Sequence, residues 1–91
     1  MDLNARLIRA DGMIEAEAGG ETVMMDVELG KYFGLNAVAS YIWSLIDQPQ
    51  TISELREAVC REFAVSPDQC EQDLIAFVRT MINRGLIRQA D

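Results

Sequence analysis

The side chains that could do chemistry in this sequence are carboxylates and thiols. Glu15 and Glu17 are two residues apart, as are Glu71 and Asp73, and Cys60 and Cys70 are the two cysteines of the 91-residue chain. Paired carboxylates can serve as general acid and base when their surroundings push their pKa values apart. A thiol can act as a nucleophile when a base activates it. The chain contains no histidine, which removes the usual general base and the commonest metal ligand. Ile14-Glu15-Ala16-Glu17-Ala18 alternates with the period of a strand, so both acids share one face, expected to be solvated and opposite Ile14 and Ala16. Neither carboxylate pair comes with an apolar pocket or an orienting partner. The cysteines fall in different predicted helices, outside any ligand spacing, each near an apolar stripe. Two reduced core thiols are expected in preference to a disulfide. Ser40, Ser44, Ser53 and Ser66 all lie outside the Asp-Ser-Leu context of a carrier protein's attachment serine. The sequence therefore points to no catalytic residue, no metal site and no cofactor.

Fifteen acids against eight bases give a net charge of −7. That balance argues against nucleic acid, whose affinity rests on Lys and Arg neutralising phosphates. With 49% hydrophobic and 25% charged residues, the chain has the composition of an ordinary globule rather than a disordered tail. Its length suits one domain spanning residues 1–91. No apolar signal segment opens the sequence, and the longest uncharged run, Tyr32 to Ile46, is too short and too interrupted to span a bilayer. A soluble, cytoplasmic protein is expected.

The elements that would position a site are ordered β first, then α. Met13 to Ala18 and Thr22 to Val27 read as two strands joined at Gly19-Gly20, which can supply the positive φ of a tight hairpin. Asp26 to Gly30 reads as the next turn, and Lys31-Tyr32-Phe33 as the third strand of a meander. Leu3 to Arg9 is either an extended lead-in or a fourth strand. Asn36 is placed to cap a helix with an apolar face at Val38, Ile42, Leu45 and Ile46, with Trp43 on its inward side. That helix should end before Pro49. Thr51-Ile52-Ser53-Glu54 matches a capping box and opens a second helix burying Leu55, Val59 and Phe63. Ser66-Pro67 opens a third, which carries Cys70, Leu74, Phe77, Val78, Met81 and Ile82 and stops at Gly85. Leu86-Ile87 then folds back onto the core.

The expected fold class is α+β: a three-stranded antiparallel sheet followed by three helices, close in outline to a winged helix-turn-helix. A DNA reader of that outline keeps basic residues on its third helix, where this chain has Asp68, Glu71, Gln72 and Asp73. A winged-helix protein binding nucleic acid or another protein is thus the weaker alternative. The third strand is last in its meander, so one row of its backbone groups lacks an intrachain partner. Such an edge is either blunted, here by Lys31 and the glycines, or available for a peptide to add as a further strand.

The run Met24-Met25-Asp26, Gly30-Lys31-Tyr32-Phe33-Gly34-Leu35-Asn36, Ile42-Trp43-Ser44-Leu45-Ile46, Pro49 to Leu55, and Cys70 to Ile75 through Gly85-Leu86-Ile87 resembles a known family. It is similar to the PqqD-like peptide chaperones, also called RiPP precursor recognition elements, and more narrowly to the stand-alone B1 proteins of lasso-peptide biosynthesis. The resemblance covers about Gly12 to Ile87. It implies a non-catalytic protein that holds a leader peptide in the cleft between the third strand and the third helix. It also implies hand-over to separate enzymes, in the lasso case a B2-type leader peptidase and an ATP-dependent macrocyclase. With the sequence ending at Asp91, no protease, radical or cyclase domain is expected to be fused to it. Carried over by position, the peptide-binding strand residues are Lys31, Tyr32, Phe33, Gly34 and Leu35. The facing helix residues, inferred from helical spacing, are Cys70, Asp73, Leu74, Phe77, Val78 and Met81. About half of these helix positions are expected to be core only.

Overall fold

The computed structural model describes residues 2–27 and 30–90. The expected turn from Asp26 to Gly30 therefore lies partly outside the described residues, at Glu28 and Leu29. β2 (Met13–Ala18), β3 (Glu21–Asp26) and β4 (Lys31–Leu35) form an antiparallel meander in the order β2-β3-β4. Gly19 and Gly20, with φ of 63° and 83°, make the two-residue turn between β2 and β3. Positive φ at both central positions gives that turn the twist a hairpin requires. The chain then enters α1 (Ala37–Leu45), α2 (Ile52–Glu62) and α3 (Pro67–Asn83).

The helix boundaries follow local chemistry. Asn36 accepts from the Ala39 amide at the start of α1. Thr51 and Glu54 exchange both bonds of the capping box that opens α2. Ser66 accepts from the Gln69 amide while Pro67 occupies the first turn of α3, where no amide is needed. At its other end Gly85 adopts φ 76°, and the amides of Gly85 and Leu86 donate back to the carbonyls of Ile82 and Met81. That Schellman closure reverses the chain and buries Leu86 and Ile87.

The segment expected as a lead-in or fourth strand joins neither edge of the meander. β1 (Arg6–Arg9) is the centre of a second, smaller antiparallel sheet, between β5 (Gln50–Thr51) and β6 (Ile87–Gln89). Its partners come from the helix connections and the last residues described, so no hairpin signal beside β1 could announce them. The structure is thus α+β, as expected, with two three-stranded sheets and three helices among the described residues.

The faces of the meander differ from expectation. In register, Glu15, Met24 and Phe33 form one row across the sheet, and Ile14, Met25 and Tyr32 the next. Met24 is fully buried, whereas Ile14 is 53% and Tyr32 72% exposed. Glu15 and Glu17 remain exposed, as expected, but they stand at the rim of the face that buries Met24, while Ile14 and Ala16, expected to face the core, lie on the outward face. Met24 and Leu35 supply the apolar burial on the inward face, and Trp43 packs beside it. The Trp43 ring is 1% exposed, and its indole Nε1 donates to Glu15. Arg9 completes the group: its guanidinium pairs with Glu15 at 2.6 Å, lies 4.9 Å from the Trp43 ring centroid, and donates through Nε to the Trp43 carbonyl at 2.9 Å. A cation at the last turn of α1 also suits that helix's negative end. Ser40 adds a second tie, accepting from the Thr22 amide and donating to the Leu35 carbonyl.

Trp43→Ala is expected to cost roughly 3–5 kcal/mol of stability, and Glu15→Leu about 1–3 kcal/mol through the indole donor it strands. Urea unfolding followed by circular dichroism measures both. Values near zero for both variants would mean that the Glu15–Trp43 contact does not hold the sheet to α1.

Candidate functional site

β4 is the edge of the meander. It pairs with β3 alone from Lys31 to Leu35, so its outer row of amides and carbonyls faces away from the sheet among the described residues. Lys31, Tyr32 and Gly34 are exposed, Phe33 is half-buried and Leu35 is buried. The Arg84 guanidinium lies 5.1 Å from the Phe33 ring centroid. The C-terminal end of α3 thereby meets β4 through a cation over an aromatic face.

Where β4 ends, a cavity of about 340 Å³ begins. Its walls are Asn36, Val38, Ala39 and Ile42 at the start of α1, Val59 of α2, Val65, and Cys70, Asp73, Leu74 and Phe77 of α3. The lining is mostly apolar, with the Asn36 amide and the Asp73 carboxylate as its polar points. That is the form of a site for an apolar side chain with one or two orienting contacts. Asp73 is exposed and accepts from the Gln69 side chain at 2.9 Å.

The residues singled out from sequence divide between these features. Lys31, Tyr32, Phe33, Gly34 and Leu35 form β4 itself. Cys70, Asp73, Leu74 and Phe77 line the cavity. Val78 and Met81, 0% and 4% exposed, pack in the core and contribute no wall. The cavity opens against α1 rather than directly between β4 and α3. Its α1 side was missed, although Val38 and Ile42 carry a legible signal in their helical spacing; that stripe reads as core, and part of it is left uncovered.

Burial, chiefly, pushes the Cys70 thiol up to about 11, and the neighbouring Cys60 thiol adds to the shift. Cys70 is therefore a protonated thiol at neutral pH, which is the opposite of an activated nucleophile. Among the described residues no group of three His, Cys, Asp or Glu could hold a metal ion, and no helix is long and apolar enough to cross a membrane.

Comparison with known proteins follows the same lines. The family model for coenzyme PQQ synthesis protein D (PqqD) matches residues 21–87, from the first residue of β3 to the first of β6. The solved structure of TbiB1 in complex with the TbiA(beta) leader peptide is 35% identical, with a TM-score of 0.81 over 92% of this chain and 99% of that one. A lasso peptide synthetase B1 complexed with the leader peptide is 20% identical, with a TM-score of 0.79 over 90% of this chain and 96% of that one, a likeness of fold. No curated protein sequence matches the chain. Since the family model takes in the β4 edge, all three helices and every wall of the cavity, the chain belongs to the PqqD family.

Proposed function

We propose that this protein binds the leader segment of a ribosomally synthesised precursor peptide, which adds as a strand to the outer edge of β4 and seats apolar side chains in the cavity that follows. The observation that carries this reading is the continuity of the two features: the free edge runs to Leu35 and the cavity opens at Asn36. The 35%-identical TbiB1, solved with a leader peptide, supports it. The protein acts by holding and presenting the precursor, without chemistry of its own. A leader peptidase of the B2 type and an ATP-dependent macrocyclase are the enzymes to which a lasso precursor would be handed.

Magnitudes require both features. About five main-chain hydrogen bonds at ~0.5–1.5 kcal/mol each contribute ~2.5–7.5 kcal/mol. Association costs roughly 4–15 kcal/mol before any affinity appears, while micromolar binding needs about 8 kcal/mol net. Apolar anchors, each stabilising by ~1.5–3 kcal/mol on burial, must supply the difference. The edge gives direction and register; the cavity gives affinity.

Nucleic acid fits poorly. Asp68, Gln72 and Asp73 are exposed on the first half of α3, and Arg79 and Arg84 come only toward its end. Phosphates brought to that helix would meet carboxylates first.

Three variants test the reading, with a fluorescently labelled TbiA(beta) leader peptide as probe and circular dichroism to confirm folding. Tyr32 pairs with Met25 at a position where its amide points away from β3, so Tyr32→Pro removes an outward amide of the edge and should weaken binding by about tenfold or more, against about threefold or less for Tyr32→Leu. If folded Tyr32→Pro binds like wild type, strand addition at β4 is wrong. Asp73→Lys reverses charge at the cavity mouth and should weaken a Lys- or Arg-bearing leader about three- to tenfold at low salt, with the difference shrinking as salt is added. An effect of Asp73→Lys that is indifferent to salt would rule out the electrostatic contribution.

A further inference from the structure

Cys60 and Cys70 lie on different helices, and the α2–α3 packing brings them together. Arg56 stands one helical turn before Cys60 on the same face of α2. Its carbonyl receives the Cys70 thiol at 4.0 Å, and its guanidinium pairs with Glu71 at 2.6 Å. Cys70 is thereby held against the turn of α2 that runs from Arg56 to Cys60. Both are free thiols; Cys70 is buried and Cys60 half-buried. The pair also borders the cavity, whose wall includes Cys70 and, next in sequence to Cys60, Val59.

We propose that Cys60 and Cys70 are a disulfide-forming pair, and that their oxidation ties α2 to α3 and reshapes the shared cavity wall so that the leader is held less tightly. The effect on the leader rests on the function proposed above; the formation of the disulfide does not.

The oxidant is a hydroperoxide. Cys60, the more accessible thiol, attacks as its thiolate. The peroxide O–O bond breaks, Cys60 becomes a sulfenic acid, and the departing hydroxide takes a proton to give water. The Cys70 sulfur then attacks the Cys60 sulfur and displaces hydroxide, which leaves as water with the Cys70 proton. With hydrogen peroxide the two thiols lose two electrons and two protons, and the products are one disulfide and two waters. Because burial holds the Cys70 thiol up near 11, closure should quicken as pH is raised above neutrality. A disulfide requires the sulfurs at about 2.05 Å and the Cα atoms within roughly 4.4–6.8 Å. Closure therefore moves the Cys70 sulfur off the Arg56 carbonyl and onto Cys60, one turn further along α2 and next to Val59.

The test treats the full chain with equimolar hydrogen peroxide and then blocks remaining thiols with N-ethylmaleimide. Expected are a mass loss of about 2 Da, a crosslinked peptide joining Cys60 to Cys70, and no maleimide on either. Amide exchange over residues 59–77 should change on oxidation. The labelled TbiA(beta) leader should bind the oxidised chain about threefold or more weakly than the reduced one, and dithiothreitol should restore binding. Cys60→Ser should bind like the reduced wild type and be indifferent to peroxide. Maleimide on both cysteines after peroxide, or crosslinks between chains alone, overturns the pair. A disulfide that leaves amide exchange and leader affinity unchanged, or that tightens binding, overturns its effect on the cavity. If the reduced chain does not bind the leader, the proposed function fails on that arm, and the mass loss with the exchange over residues 59–77 decides the inference by itself.

Discussion

An indole N–H buried away from water must find an acceptor, and here it finds one across the join between the two halves of the fold. Trp43 is almost wholly enclosed, and the acceptor available to it is Glu15 on β2. Glu15 keeps part of its side chain in water, and Arg9 pairs with it while also reaching the last turn of α1. One polar contact thus ties the smaller sheet, the meander and the first helix together. It lies at the rim of the face that turns Met24, Phe33 and Leu35 inward, with Tyr32 outward.

β2 and β4 are the two edges of the meander, and β4 is the edge that runs directly into the cavity. Ser40 bonds the end of β4 and the start of β3 to α1, so the strand and the α1 side of the cavity are held by the same hydroxyl. A peptide paired along β4 would therefore pass the cavity in a defined register. Rigid placement of this kind limits the ordering cost that weakens most strand-addition interfaces.

Much of this was legible in the sequence, because the signals concerned are local. Asn36, the Thr51–Glu54 box, Ser66-Pro67 and Gly85 each satisfy backbone groups within a few residues, and each helix begins or ends where they stand. The β4 edge and the lining residues Cys70, Asp73, Leu74 and Phe77 were legible too, from strand order, helical spacing and family resemblance. What failed was non-local. Alternation says that Glu15 and Ile14 face opposite ways, but which face is buried depends on packing against helix residues such as Trp43, 28 positions on. The partners of β1 are distant in sequence, and the apolar stripe of α1 does not reveal that part of it stays uncovered.

Strand addition at β4 is the centre of this account, and backbone amide exchange tests it most directly. Exchange is followed by NMR at Lys31 to Leu35, with and without a saturating leader peptide. Alternate amides of β4, those pointing away from β3, should become protected in the complex, while the amides already bonded to β3 change little. A leader that binds while the outward amides of β4 exchange as they do in the free protein would contradict the account.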